Sequence, residues 1–132
     1  MIKNNQQKIP YARFDYGHLS PGYYDLIYLR NKGIRSKWHH MKFSFFVKHF
    51  PIQANHLDIA CGAGTFLASL DQTDSSIRVG IDIAVNQLQV GIKNKKATNI
   101  HFVQSTGTQL PFPDNCFQVV TSIELVEHLT ID

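Results

Sequence analysis

The chain has 132 residues, a formal net charge of +3 and 43% hydrophobic residues. This length and balance fit a single globular domain with a modest core, and they argue against a disordered chain. No apolar run approaches the roughly 18 residues of a membrane span. The polar amino terminus lacks the apolar segment of a secretory signal. We therefore expect a cytoplasmic protein with no membrane partner.

The cysteines and histidines do not form a recognisable pattern. Cys61 and Cys116 are far apart and neither belongs to a Cys-x-x-Cys pair, while the seven histidines are scattered apart from the adjacent His39 and His40. Disulfide scaffolds and zinc sites need closely spaced or paired ligands. We predict neither a disulfide scaffold nor a metal site.

Charge is distributed unevenly along the chain. Residues 1–55 hold nine Lys and Arg against two acidic residues, and residues 56–132 hold four against eight. A basic arm is compatible with an anionic partner such as nucleic acid. The simpler interpretation is a solvated helix face whose counter-charges lie on the other half of the domain, and nothing in the sequence demands a nucleic-acid partner.

The first 50 residues predict a helical amino-terminal arm. Ser20 as N-cap and Pro21 in the first turn predict a helix over 20–30, ended by Asn31-Lys32-Gly33. A second helix is predicted from Ser36 to Phe50, before Pro51. Its predicted apolar stripe contains Trp38, Met41, Phe45, Phe46 and Phe50. The aromatic arm, including Tyr23, Tyr24, Trp38, His39 and His40, is a candidate lid, although core packing explains Trp38 equally well.

Residues 51–132 alternate between short apolar runs and helical stretches. Alternating strands and helices predict βαβ units, and therefore an α/β, Rossmann-like domain with a parallel sheet. The predicted strands are 56–60, 77–83, 100–103 and 117–123, and the predicted helices are 65–70 and 85–93.

A glycine loop follows the first predicted strand. Gly62 and Gly64 lie between a strand and a helix, where backbone can turn tightly and approach a ligand. Asp82 ends the next strand, twenty residues after Gly62, where a carboxylate can accept both ribose hydroxyls of a nucleoside. Each signal is weak alone, but together they predict a nucleoside cofactor.

The charge of the loop indicates which nucleoside fits. A dinucleotide site uses a third glycine three residues on, and Leu67 occupies that position. Asp58, at the end of the strand, would repel a pyrophosphate and attract an ammonium or sulfonium group. These residues argue against a dinucleotide oxidoreductase and favour S-adenosylmethionine.

Four segments, in order, resemble class I S-adenosylmethionine-dependent methyltransferases of the methyltransferase type 11 kind. Asp58-Ile59-Ala60-Cys61-Gly62-Ala63-Gly64 resembles their motif I, with Ala60 in place of a glycine. Residues 79–83 resemble the second motif, residues 110–120 the Leu-Pro-Phe block, and residues 124–129 the segment after it. The resemblance covers about residues 56–130 and implies methyl transfer from S-adenosylmethionine, leaving S-adenosylhomocysteine.

The resemblance also implies a set of cofactor-binding residues. Asp58 would orient the methionine end, Asp82 would hold the ribose and Ile83 would pack on the adenine. Thr106 stands where many relatives have an aspartate for the adenine amino group. The full implied set is Asp58, Ala60, Gly62, Gly64, Asp82, Ile83, Thr106 and Gly107.

The sequence indicates the methyl acceptor and a general base less clearly than it indicates the cofactor. A general base is needed only when the acceptor must lose a proton. Glu124 and His128 follow the fourth predicted strand and are candidates, but an ordinary stabilising pair on one helix face is the better interpretation. Relatives with the Leu-Pro-Phe block often act on small molecules, so we expect a small-molecule acceptor.

The resemblance implies a seven-stranded sheet, of which this sequence contains the first four strands. The alternatives are a fragment of a longer parent chain, a natural truncation, or completion by a partner or a homodimer across the open strand edge. A catalytically silent module that binds the cofactor or a partner is the competing function. We take residues 1–50 as the arm and 51–132 as the cofactor-binding domain.

Overall fold

The computed structural model describes residues 19–51, 53–70, 76–94 and 99–129. The first 18 residues of the predicted arm lie outside this part. The elements are α1 (Tyr23–Arg30), α2 (Ile34–His49), β1 (His56–Ile59), α3 (Thr65–Ser69), β2 (Arg78–Asp82), α4 (Val85–Asn94), β3 (Ile100–Gln104) and β4 (Val119–Ser122), followed by a 3-10 turn at Val126–His128. The predicted Rossmann-like α/β class is confirmed.

All four strands are parallel and lie in the order β3-β2-β1-β4. Asp58 of β1 is paired with Gly80 of β2 on one side and with Thr121 of β4 on the other. The chain thus builds the sheet outward from β1 to β3 and then crosses to the other side of β1. Such a switch point leaves a crevice at the carboxyl ends of the strands, where ligands bind in this class of fold.

The two faces of the sheet carry different cores. Leu57, Val79 and Ile81 form a buried cluster on one face, against Phe112 and Phe117 of the connection into β4. On the other face, Leu67 of α3 packs with Ile100 and Phe102 of β3. Gly80 permits the loop after β1 and α3 to approach closely, because a Cβ there would lie 2.6 Å from the Cys61 sulfur and 3.2 Å from Leu67 Cδ1. The helices therefore sit on the face that carries Asp58.

Helix α1 begins later than predicted. Gly22, in a left-handed conformation with φ 73°, occupies the N-cap, so the prediction of Ser20 as N-cap is wrong. The Ser20 carbonyl instead accepts a hydrogen bond from the Tyr23 N–H at 3.0 Å, which closes a turn over Pro21 and Gly22. The turn takes precedence because glycine adopts the left-handed conformation at little cost. The predicted end of the helix at Asn31 is confirmed.

Helix α2 packs with a different face from the one predicted. Ser36 and Phe43 are its buried residues, whereas Trp38, Met41 and Phe45 are 52%, 59% and 61% exposed. The Phe43 ring lies 5.0 Å from the Phe66 ring of α3. Phe46 and Phe50 are half-buried and also contact Phe66, so only this end of the predicted stripe faces the core. The helix carries apolar residues on two opposite sides, and periodicity alone could not choose between them.

Among the described residues, polar contacts at three points attach the arm to the sheet domain. The Gly22 N–H donates to Gln87 Oε1 of α4 at 2.9 Å, in a buried position. Thr65, at the start of α3, donates to Asp25 of α1. Lys42 of α2 pairs with Glu124, just beyond β4. The arm is thus held at three separate points around the carboxyl edge of the sheet.

Within the described residues, the helices are all too short or too polar to cross a bilayer.

Candidate cofactor site

A cleft of about 200 Å³ lies at the carboxyl ends of β1, β2 and β4, between the sheet and the arm. Its position matches the switch point of the sheet. Seven of the eight predicted cofactor residues line it, namely Asp58, Ala60, Gly62, Asp82, Ile83, Thr106 and Gly107. Residues far apart in the sequence meet here because parallel strands all end at the same edge.

The loop after β1 is built from left-handed backbone. Ala60 has φ 62° and Gly62 has φ 56°. A Cβ at Gly62 would have no atom within 4 Å, so the loop presents bare backbone to the cleft at that point. Ala60 adopts a left-handed conformation that costs an L-residue roughly 1–2 kcal/mol. The loop is therefore shaped for close approach of a ligand.

Gly64 plays a different part from Gly62. It is buried, has φ 74° and precedes α3. A Cβ there would lie 2.7 Å from the Phe102 ring. Gly64 lies behind the loop, away from the cleft lining, and its small size allows α3 to pack on β3.

Asp82 is fixed by the backbone on both of its oxygens. Oδ2 accepts the Gly62 N–H and Oδ1 accepts the Ala84 N–H, each at 2.8 Å. Each carboxylate oxygen has a second lone pair for another donor. The carboxylate is thus held at the cleft wall in an arrangement suited to a pair of ribose hydroxyls. Ile83 follows it, 39% exposed, on the same wall.

Asp58 is buried beneath the cleft and belongs to a chain of side-chain hydrogen bonds. The Thr121 hydroxyl donates to Asp58 Oδ1 at 2.6 Å, and His56 Nε2 lies 2.8 Å from that hydroxyl. Because the hydroxyl proton goes to Asp58, the His56 Nε2–H is the donor to Thr121. Thr121 of the neighbouring strand β4 thus holds the Asp58 carboxyl, and His56 in turn holds Thr121.

Burial is the main cause of the pKa shifts of the two ionisable groups in this hydrogen-bonded chain. It raises the pKa of Asp58 to about 7, with the charge of Asp82 adding to the rise and the Thr121 hydrogen bond opposing it. Burial, with the nearby charge of Arg78, lowers the pKa of His56 to about 4, so His56 is neutral at pH 7. A cation in the cleft would favour the ionised form of Asp58.

Cys61 lines the cleft but is not an activated nucleophile. Burial, followed by the charges of Asp58 and Asp82, raises the pKa of its thiol well above the usual value. A thiol is reactive as the thiolate, so this environment suppresses its reactivity. Among the described residues, no group of three or more His, Cys, Asp or Glu side chains is placed to hold a metal ion.

The loop after β3 also lines the cleft. The Ser105 N–H donates to the Asp82 carbonyl at 3.1 Å, which joins this loop to the end of β2. Thr106 Oγ1 lies 3.3 Å from Thr108 Oγ1, and both residues line the cleft. Gly107 is needed for space, since a Cβ would lie 3.0 Å from both Ile59 and Leu125.

The arm supplies a wall that the motif analysis did not identify residue by residue. Tyr24 and His39 of the predicted lid line the cleft, whereas Trp38 is 52% exposed, lies outside the lining and is close enough to Glu124 to affect the pKa of that carboxyl. Tyr28, Lys42 and Phe43 of the arm also line the cleft, beside Gln87 of α4, and the sequence motifs indicate none of these four. The spacing of the aromatic residues in α1 and α2 can be read from the sequence. Which residues these side chains face becomes known only from the packing of the two helices.

Glu124 and His128 both line the cleft, but the prediction that they form a pair on one helix face is wrong. Glu124 has φ 60° and precedes a 3-10 turn, so the two residues do not share an α-helix. Partial burial would raise the pKa of Glu124, but the hydrogen bond and charge of Lys42, with smaller help from His39 and Trp38, lower it overall. Glu124 is thus an ionised partner of the arm.

The comparisons with known proteins agree with this geometry. The profile of a family described as a methyltransferase domain matches residues 57–132. The demethylmenaquinone methyltransferase of Staphylococcus haemolyticus (strain JCSC1435) is 34% identical over 76 residues, covering 55% of this chain and 32% of that protein. The enzyme of the same name from Roseiflexus sp. (strain RS-1) is 25% identical over 117 residues, covering 88% and 48%. The chain spans between about a third and a half of these relatives.

Solved structures show the same fold. The YcgJ protein of Bacillus subtilis is 27% identical with a TM-score of 0.58, covering 64% of this chain and 38% of that one. Coclaurine N-methyltransferase, solved with N-methylheliamine and S-adenosylhomocysteine, is 14% identical with a TM-score of 0.62, covering 75% and 31%. At that identity the second likeness concerns the fold alone.

The parallel sheet, the glycine loop and Asp82 define a Rossmann-like fold of the class I methyltransferase type. Since the family profile covers more than half of the sequence, the chain belongs to the methyltransferase-domain family. At the level of the family, the predicted enzyme class and the predicted cofactor, S-adenosylmethionine, are confirmed.

Proposed function

We propose that this chain binds S-adenosylmethionine in the cleft and takes part in methyl transfer to a small, largely apolar acceptor. One observation carries the proposal. The Asp82 carboxylate is locked by the Gly62 and Ala84 N–H groups at the end of β2, one strand away from buried Asp58. This places two carboxylates and bare glycine backbone around one cleft, which suits a cationic nucleoside.

The residues present fit the cofactor from end to end. Asp82 would accept the ribose hydroxyls, Ile83 would pack on the adenine, and Thr106 would meet the adenine edge through a neutral hydroxyl. Asp58 and the Gly62 backbone would face the cationic methionine end. A buried carboxyl whose pKa is about 7 is well suited to this task, because a cation restores the interaction that burial removes.

The arm side of the cleft supports an apolar acceptor. Tyr24, Tyr28, Phe43, Leu125 and Leu129 contribute to its lining. Such a wall favours a planar or hydrocarbon body, with Lys42, Glu124 and His128 as polar groups beside it. Relatives named for methylation of demethylmenaquinone agree with an acceptor of this character.

For methyl transfer, the main task of the protein is to position the two substrates. When bound, S-adenosylmethionine supplies an already activated methyl group, so catalysis depends mainly on alignment of the acceptor and exclusion of water. Helices α1 and α2 contribute one wall of the cleft. His39 lines the cleft, and burial, followed by the charge of Lys42, lowers its pKa. The imidazole of His39 is therefore neutral at pH 7 and has a ring nitrogen without a proton, whereas the carboxylate of Glu124 is held by Lys42.

The test is calorimetric titration of S-adenosylmethionine and S-adenosylhomocysteine into the full chain, its Asp82→Asn variant and a matched Asp114→Asn control. Asp114 is exposed and lies outside the cleft lining. Loss of charge-assisted hydrogen bonds to the ribose should weaken binding by about 10- to 100-fold in Asp82→Asn. Asp114→Asn should bind as the original chain does.

Two outcomes would contradict the proposal. One is a folded chain that does not bind either ligand, which would favour the catalytically silent alternative. The other is equal affinity in the original chain and Asp82→Asn, which would place the ligand elsewhere. If the cofactor binds in the cleft, methyl transfer from radiolabelled S-adenosylmethionine to a panel of quinols, catechols and amines would identify the acceptor class.

A further inference from the structure

Helix α2 carries a second apolar face, directed away from the core. Ile34, Trp38, Met41 and Phe45 follow one another at spacings of four, three and four residues and are 89%, 52%, 59% and 61% exposed. These spacings place all four side chains along one side of a helix. We call this set the outer stripe. Buried Ser36 and Phe43 lie on the opposite side.

Basic residues border the outer stripe on both sides. At 100° per residue, Lys37 and Lys48 lie along one edge, and Arg35 and Lys42 along the other. The sequence of α2 contains no acidic residue, and Arg30 and Lys32 add positive charge just before it. Lys42 is paired with Glu124, but Arg35, Lys37 and Lys48 are exposed. The surface is thus an apolar strip with positively charged margins.

We propose that the outer stripe of α2 docks on an anionic lipid surface. A helix that lies in a membrane interface presents large apolar side chains to the acyl boundary and Lys or Arg to the headgroups. Tryptophan is favoured at this depth, and Lys side chains can reach headgroups while their stems stay apolar. The outer stripe and its margins supply each of these features on one exposed surface.

The charge of the margins decides between a lipid surface and a second copy of the chain. A symmetric dimer through the outer stripe would bring the same surface of each copy together. Arg35, Lys37 and Lys48 of both copies would then face one another without acidic residues of α2 to balance them. An anionic bilayer neutralises the same margins. The expectation of no membrane partner rested on the lack of a spanning segment, and docking at the surface needs no such segment.

Docking of α2 would also orient the cleft. His39 and Phe43 of the same helix line the cleft, and Lys42 lies both in the cleft lining and at the margin of the outer stripe. One wall of the cleft would therefore stand next to the headgroups. This consequence rests on the proposed function and deepens it, because docking would hold the cleft, behind α2, close to a bilayer that dissolves an apolar acceptor.

Trp38 provides a direct probe, since it is the only tryptophan in the chain. The full chain, without cofactor, would be mixed with vesicles of phosphatidylglycerol and phosphatidylcholine, and with vesicles of phosphatidylcholine alone. We expect co-sedimentation with the anionic vesicles, a blue shift of Trp38 emission and quenching by brominated acyl chains. Binding should weaken as salt is added, because surface electrostatics are screened.

Two pairs of variants distinguish the contribution of the outer stripe to vesicle binding from that of its basic margins. Phe45→Ser should weaken vesicle binding at least about tenfold, whereas Ile92→Ser, at an equally exposed apolar residue of α4, should have no effect. Lys37→Gln should weaken binding about fivefold, and Lys93→Gln on α4 should not. Circular dichroism and titration with S-adenosylmethionine would confirm that each variant is folded.

Several results would overturn the proposal. The first is no vesicle binding by a chain that still binds S-adenosylmethionine, which would leave the proposed function standing. The second is vesicle binding without any change in Trp38 emission, which would mean that the outer stripe stays in water. The third is a dimer that Phe45→Ser dissociates in the absence of lipid, which would assign the stripe to a second copy. Vesicle binding by a chain that does not bind the cofactor would support docking of the outer stripe and would contradict only the proposed function.

Discussion

The packing of α3 on β3 predicts a large difference between alanine substitutions at two glycines of the same loop. Gly62 and Gly64 both have positive φ, so alanine at either position should cost roughly 1–2 kcal/mol of backbone strain. At Gly62 the new Cβ meets no atom within 4 Å. At Gly64 it lies 2.7 Å from the Phe102 ring, which must move by several tenths of an ångström. Overpacking of this kind adds about 1–3 kcal/mol.

We therefore expect Gly64→Ala to lower the free energy of unfolding by about 3 kcal/mol and Gly62→Ala by about 1 kcal/mol. Urea denaturation of the cofactor-free chain, followed by circular dichroism, measures both values. Shrinking the ring in the double variant Gly64→Ala/Phe102→Leu should recover part of the loss, because the two sites are in contact. Equal unfolding midpoints for the two single variants would show that Phe102 does not restrict Gly64, and would refute the reasoning.

Three further predictions concern the buried polar groups. Because burial raises the folded pKa of Asp58 from 3.8 to about 7, its destabilising effect is absent below pH 3.8, grows with pH and is complete above 7. Asp58→Asn should accordingly stabilise the cofactor-free fold by up to about 4 kcal/mol at pH 8 and by little at pH 4; thermal unfolding showing the same gain at both pH values would contradict this. Binding of S-adenosylmethionine should strengthen by about tenfold per pH unit up to about pH 7 and then level off, since the cation binds ionised Asp58, and calorimetry from pH 5.5 to 8.5 should find no such rise in Asp58→Asn. Gln87→Leu leaves the buried Gly22 N–H without its acceptor, so it should lower the free energy of unfolding by about 1–3 kcal/mol and speed proteolysis in the arm. Gln89→Leu, at an exposed position of the same helix, should do neither.

Much of the cofactor site was predictable from the sequence because the fold class places it. Once alternating strands and helices indicate a parallel sheet, the residues that end β1 and β2 must lie at one edge. Asp58, Gly62 and Asp82 could therefore be assigned to a common cleft without coordinates. Their assignment depends on short-range features, namely a strand, a tight turn and the start of a helix.

Other parts of the site needed tertiary packing. Gly64 carries the same sequence signal as Gly62, yet one supports α3 against Phe102 and the other faces the cleft. Glu124 and His128 have helical spacing, but the left-handed backbone at Glu124 breaks the helix and directs the carboxylate to Lys42, 82 residues earlier. Local spacing cannot reveal a partner at such a distance.

The sequence by itself determined the fold class, the strand order along the chain and the position of the glycine loop, because these follow from periodicity and from glycine and carboxylate positions in consecutive elements. The tertiary structure decided how the arm is used. Helix α2 has two apolar sides, and packing against the core, including the contact of Phe43 with Phe66, selects the one that is buried and leaves the outer stripe in solvent. That choice depends on the summed burial of distant side chains, a quantity that no local pattern contains.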